Sequence, residues 1–313
     1  MVVEVLRGDV VESRHEVDVV AVDADGSELW SRGDGRRSVL PRSSLKPIQA
    51  LPLFRSGAAD ARALSSERLA IACASHGGEP AHIAVLTQWL DDAGLDIEAL
   101  ECGSHPPSHQ RSAEQLVQQG EQPTPLHNTC SGKHVGFLSV CAHLGISAAG
   151  YLDPTHPLQA EVLTPAVEEL CGISLAHTTP GVDGCGVPVW AMPLDRLAGG
   201  WAALAGTTEG QRIFEAMRSS SFMVAGTDRA CTRIMIESPG VVVKTGAEGV
   251  YCGLAVDSGV VVALKARDGA TRASEAAIEW AMAELGLLDR PDARPLRNWT
   301  GTHVGSVRIA HRS

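Results

Sequence analysis

Strand-type patterning stands at both ends of this chain, and helical periodicity fills its middle. That order constrains the fold more than any other feature, because separated terminal strands must meet to complete one sheet. "VDVVAVDADGSELW" (17–30) alternates apolar and polar residues around an Asp25-Gly26 turn, which signals a hairpin. "GVVVKTGAEGVYCGLAVDSGVVVALKA" (240–266) reads as further strands. Between them, 66–75 begins helix-like and ends in a run of small apolar residues. Helical period appears over 80–95, 132–146, 156–173, 187–205 and 208–221, and a last strong helix over 270–288. The stretch 156–173 is expected to bend or restart at Pro165. Segments 100–131 and 177–187 follow no period, are rich in Gly, Pro, His and Cys, and read as loops of the kind that carry function. The expected class is α/β, an α+β sandwich with its terminal strands in one sheet and a central helical region. A length of 313 residues suits a single catalytic unit over 1–313. Two intimate subdomains are the alternative: about 1–80 with 236–313 around the sheet, and about 81–235 mainly helical.

Composition excludes several partners. The formal net charge of −11 disfavours nucleic acid and anionic membrane. Aromatic residues make up only 4%, with two Tyr, too few to stack exposed bases. Glu4, Arg7 and Asp9 interrupt the first residues, so no signal-peptide core is read there. The longest apolar runs are too short to span a bilayer, and the expected location is the cytosol. Eight cysteines in a chain this long do not make a dense disulfide framework; most are expected to be buried thiols.

Three groups of residues could carry chemistry. In "PRSSLKPIQ" (41–49), Ser43 lies three residues before Lys46, a spacing that puts both on one helix face. A neutral Lys46 could take the proton of Ser43. Equally, Ser43 or Ser44 could cap a short helix and leave Lys46 solvated. Ser75 in "ASHGGEP" stands between an apolar run and a Gly-Gly turn, and Lys244 opens "KTG" on an expected strand. Serine acyl-transfer enzymes use Ser-x-x-Lys and Lys-Thr-Gly in this chain order, although the middle element here lacks its Asn and comes early. The third group is "HNTCSGKH" (127–134) with "GVDGCGVP" (181–188). Cys130 and Cys185 in these glycine-bearing loops could hold zinc, form a redox pair, or be inert thiols.

Together these blocks resemble the rhizobial-type, thermolabile L-asparaginases, also called asparaginase II. The resemblance rests on "VEVLRGDVVESRH", "PRSSLKPIQALPL", "ACASHGGEP", "HNTCSGKHVGFL", "YLDPTHPLQ", "GVDGCGVPVW", "MVAGTDRACT", "GAEGVYCGL" and "ALKARDGATRA", in order along nearly the whole chain. It implies hydrolysis of L-asparagine to L-aspartate and ammonia, a fold like serine β-lactamases and glutaminases, and a homodimer. It implies two Ser-Lys tandems, Ser43 with Lys46 and Ser75 with Lys265, the last in place of Lys244. It implies zinc near the active site on Cys130, Lys133 and Cys185, with Asp183 contacting substrate and Arg42 and His134 in matching blocks.

The implied mechanism has Ser43 as nucleophile, Lys46 as its base, and Ser75 with Lys265 as relay and polar support. Asp183 would pair with the substrate's α-amino group. Zinc held by two thiolates carries little net charge and is not expected to activate water. Two other functions stay in view. A β-lactamase or penicillin-binding-like serine acyltransferase would use the same Ser-x-x-Lys. A non-catalytic, zinc-dependent amino-acid sensor would need no activated nucleophile.

Overall fold

The structure is a computed structural model that describes residues 1–289 and 293–310. Its main sheet, among these residues, is built from β1 (Val2–Arg7), β2 (Val10–Val22), β3 (Glu28–Arg32), β4 (Val241–Gly246), β5 (Val250–Ala255), β6 (Val261–Ala266), β7 (Arg294–Arg297) and β8 (His303–Ile309). The order is β7-β8-β1-β2-β6-β5-β4, with β3 pairing β2 as well, and all of its pairs are antiparallel. Strands from the two ends of the chain do share one sheet: β6 runs against β2 with Lys265 opposite Asp18, and β8 runs against β1. The expected hairpin at Asp25-Gly26 joins β2 to β3. Asp23 closes it by accepting the backbone N–H groups of Asp25 and Ser27 at 3.0 and 2.9 Å.

Helices cover both faces. They include α1 (Lys46–Arg55), α2 (Ser66–Ala72), α3 (Pro80–Ala93), α4 (Ser131–Leu144), α5 (Leu194–Ala205), α6 (Thr208–Ser219), α7 (Ala230–Glu237) and α8 (Thr271–Glu284). Helix α8 lies on one face, close enough that a Cβ on Gly253 of β5 would meet Met282 at 2.4 Å. Helices α5 and α6 pack against the sheet from the side on which Cys252 lies beside Ser44, and α7 lies along the edge strand β4. One buried apolar cluster runs from Val3 to Val307 and includes Trp89 and Trp201. Burial of this kind stabilises by roughly 25 cal/mol per Å² of apolar surface. None of the helices among the described residues is long and apolar enough to cross a membrane.

Of three local expectations, one holds and two meet a different structure. The stretch 156–173 restarts as expected, passing from a wide turn over Leu158–Leu163 into a helix over Thr164–Cys171 with Pro165 in its first turn. The stretch 187–205 is not helical throughout. Pro188–Val189 and Met192–Pro193 form short extended pairs, and helix begins only at Leu194. Pro188 and Pro193 explain this, since each biases the residue before it toward extended backbone. The segment 100–131 contains a helix at Gln110–Gln119 that buries only Ser112, so it carries no apolar stripe to read.

Candidate active site

The site is assembled where the turn before α1 meets the end of β4. Residues 42–45 form a single 3₁₀ turn that runs into α1, with Pro47 tolerated in the first helical turn. Ser44 is the buried lock of this turn. Its hydroxyl donates to the Pro41 carbonyl at 2.6 Å, and its own carbonyl accepts the Trp201 indole N–H at 2.9 Å. Neither serine caps the helix, because neither accepts a first-turn N–H. Arg42 stands at φ 52°, in the left-handed region that any side chain with a Cβ disfavours, directly before the half-buried Ser43. Gly246 ends β4 against this turn. A Cβ there would lie 2.7 Å from the Pro41 carbonyl oxygen and 3.3 Å from the Ser44 nitrogen.

Two buried lysines converge on Ser75. The Lys46 amine donates to Ser75 Oγ at 3.3 Å, to Cys130 Sγ at 3.2 Å and to the Ala74 carbonyl. The Lys244 amine donates to the same Ser75 Oγ at 2.8 Å and to the Thr245 carbonyl at 2.6 Å. Both side chains are essentially without solvent exposure. Burial pushes the Lys244 amine down to about 7, and the positive charge of Lys46 adds to the effect. Near neutral pH, therefore, Lys244 can exist as the free amine a proton acceptor requires.

Lys265 does not take that place. In the sheet register, Lys244 lies opposite Cys252 and Cys252 opposite Ala263, so Lys265 sits two strands across and two residues further on. Its amine donates to the Glu248 carbonyl at 2.6 Å and to the Ala266 carbonyl, and it is only half-buried. The structure brings Lys244, and not the expected Lys265, into contact with Ser75. The Lys-Thr-Gly spacing pointed to Lys244, and the longer block "ALKARDGATR" pointed away from it.

The cysteine loops meet beside this pair. Asn128 accepts the Cys130 N–H at 2.9 Å and donates to the Cys102 carbonyl at 2.8 Å, fixing the turn that presents Cys130 at the head of α4. No pattern in the sequence singled out Asn128. The Lys133 amine donates to Cys185 Sγ at 3.0 Å. A hydrogen bond from Cys185, with help from the charges of Lys46 and Lys133, holds Cys130 well below the usual thiol range despite burial. That bond and burial push Cys185 up, so the pair behaves as one thiolate and one thiol. Burial pulls the Lys133 amine down, but the two sulfurs outweigh it and its pKa is raised. His134 is wholly buried. Its Nδ1 lies 2.7 Å from the Tyr151 hydroxyl, its Nε2 has no hydrogen-bond partner, and burial keeps it neutral.

Two thiols and an amine, all buried and joined through Cys185, suit a soft divalent ion such as zinc in donor type. They would supply three donors. Among the described residues there is no group of three His, Cys, Asp or Glu that could hold a metal. The unpartnered Nε2 of His134 marks the same neighbourhood as incompletely satisfied.

Asp183 and Arg42 close the site. Arg42 donates to Asp183 Oδ1 through Nε at 2.8 Å and Nη2 at 2.7 Å, both side chains being partly shielded. The turn 183–186 that carries Asp183 and Cys185 is held by the Gly186 N–H on the Asp183 carbonyl and reverses at Gly186, φ 84°. Of the residues expected to act together, the fold gathers Lys46, Ser75, Cys130, Lys133 and Cys185 in one contact network. Ser43 and Arg42 lie on the adjoining turn, with Asp183 paired to Arg42.

The chain has a mixed α/β fold in which two buried lysines converge on one serine. Residues 3–309 match the L-asparaginase II family, and the chain belongs to that family of asparaginase-type amidohydrolases. No curated protein matches it. Among solved structures it is similar to a β-lactamase from Mycobacterium bovis, at 15% identity over 87% of this chain and 95% of that one, TM-score 0.41. It is also similar to a candidate β-lactamase from Bacteroides dorei, at 12% identity over 87% and 93%, TM-score 0.45. Likenesses this distant carry no argument about activity.

Proposed function

We propose that this protein hydrolyses the side-chain amide of L-asparagine, giving L-aspartate and ammonia. The observation that carries this reading is the convergence of Lys46 and Lys244 on Ser75, next to the strained turn that presents Ser43. Family membership supports the amide as the bond broken. The Arg42–Asp183 ion pair supports an α-amino acid as its bearer. A zwitterion can enter such a pair with its carboxylate on Arg42 and its ammonium on Asp183, exchanging one ion pair for two.

In this reading the Ser43 hydroxyl attacks the amide carbon. Its proton passes to Lys46, and Ser75 with Lys244 forms the second acceptor of the relay. The C–N bond then breaks, ammonia leaves with a proton from the lysines, and an ester to Ser43 remains. Water adds to the ester, its proton returns to the lysine pair, and aspartate departs with the serine restored. A second reading has Ser75 as the acylated serine, because Ser75 is the one in contact with both amines.

Cys130, Lys133 and Cys185 would hold zinc. The ion would tie the Cys185 loop to the head of α4, and its binding requires Lys133 to give up its proton. Cys130 touches Lys46, so the state of that sulfur bears on the placement of the Lys46 amine.

The test is ammonia release from asparagine and from glutamine by wild type, Ser43→Ala and Ser75→Ala, with mass spectrometry of the trapped acyl-enzyme. Full activity of Ser43→Ala would remove Ser43 as the nucleophile, and an adduct on the Ser75 peptide would establish the second reading. Nitrocefin turnover or a penicillin adduct would favour the acyltransferase. Asparagine binding without ammonia release would favour the sensor.

A further inference from the structure

Residues 224–231 touch Ser75 and Thr245, the residue that follows Lys244, from outside the Ser75–Lys244 pair. At the start of the segment, the Val224 carbonyl accepts the Ser75 N–H at 2.9 Å. At its end, Cys231 Sγ accepts the Thr245 N–H at 3.4 Å and shares a hydrogen bond of 3.0 Å with the Tyr251 hydroxyl. Thr245 follows Lys244, and its carbonyl is the one that accepts the Lys244 amine. Because β4 is an edge strand, the outward N–H of Thr245 has no strand partner and Cys231 takes that role.

The middle of the segment is fastened to Glu79. Thr227 donates its N–H to Glu79 Oε1 at 2.8 Å and its hydroxyl to Oε2 at 2.6 Å. Glu79 is buried at the head of α3, four residues after Ser75, and also accepts the His82 N–H. A buried carboxylate costs free energy unless it is fully hydrogen-bonded, and most of this one's bonding goes into the loop. Backbone shape agrees. Gly226 lies at φ 106°, where a Cβ would come within 2.2 Å of Glu79 Oε1, and Asp228 is held at φ 58°.

We propose that residues 224–231 are a brace that sets the separation of Ser75 from Lys244, with Glu79 and Thr227 as the positioning residues that hold it. This rests on the reading of Ser75 and Lys244 as part of the amide-hydrolysing machinery. Thr227 is exposed and touches neither Ser75 nor Lys244, so its effect on turnover passes through the segment that Glu79 holds.

The experiment measures kcat and KM for ammonia release from asparagine, with melting temperature, in Thr227→Ala, Thr227→Ser, Glu79→Gln and Ser75→Ala. Thr227→Ala is expected to lower kcat about tenfold, since misplacement by a fraction of an ångström suffices. KM should stay within about twofold, while melting should fall by a few degrees because the buried Glu79 carboxylate loses one of its bonds. Thr227→Ser keeps the hydroxyl and is expected to restore kcat. Wild-type kcat in Thr227→Ala, or a change confined to KM, would overturn the brace while an inactive Ser75→Ala upholds the catalytic reading. Full activity of Ser75→Ala would overturn that reading and the brace with it. If Glu79→Gln fails to fold, the Thr227 pair still decides.

Discussion

Lys46 and Lys244 reach one hydroxyl from opposite ends of the chain, and burying two amines together has a chemical consequence. Desolvation and mutual repulsion both favour loss of a proton, and the Lys244 amine is brought to about 7. If Lys244 must be neutral to accept a proton, turnover falls as pH drops through about 7 and levels off above it. A kcat–pH profile measured with asparagine checks this; a rate flat from pH 5.5 to 8 would contradict it. Lys244→Met should lower kcat by about a hundredfold or more, the range of a lost acid–base group. Lys265→Met should leave kcat within about threefold, because that amine only meets carbonyls of nearby turns. Steady-state assays of the two variants side by side decide between the lysines. The motif and the family block chose differently, and both lysines stand near strand ends on the same face of the sheet. What separates them is register, which is a property of pairing.

Elements meet at the site through one close approach. The 3₁₀ turn of Arg42–Leu45 lies on the end of β4, and the absence of a side chain at Gly246 lets it. Gly246→Ala would drive a methyl into the Pro41 carbonyl, displacing the turn that carries Ser43. Overpacking of this kind costs about 1–3 kcal/mol, and kcat should fall along with the melting temperature. Thermal melts and ammonia assays of one preparation check both halves. Here the sequence was partly legible. Helix α4 and the helix after Pro165 were readable from period and breaker residues. The extended pairs at 188–193 were hidden under apolar residues that fit a helix equally well. The helix at 110–119 was hidden because its surroundings take so little apolar surface from it.

At the scale of the whole molecule, the expected zinc and the expected dimer both await measurement. If Cys130, Lys133 and Cys185 hold zinc, elemental analysis should find one ion per chain, and Cys130→Ser or Cys185→Ser should abolish it. A chelator should lower the melting temperature of the wild type and added zinc restore it, because a ligand bound only by the folded state stabilises that state. Unchanged melting and no bound metal would leave the sulfurs as a hydrogen-bonded thiol–thiolate pair. Sedimentation at micromolar concentration should give twice the mass of one chain if the homodimer implied by the resemblance forms.

The sequence by itself determined the class of the fold, the family, and most of the residues that line the site, because periodicity, breakers and short motifs are local properties of a chain. It also named Ser43, Lys46, Ser75 and the two cysteine loops before any contact was visible. Only the tertiary structure decided which lysine reaches Ser75, that Lys46 touches Cys130, and that Glu79 reaches Thr227 across 148 positions. Those are questions of distance between remote segments. Sheet register and the burial of charge answer them, and neither is written in the neighbourhood of any one residue.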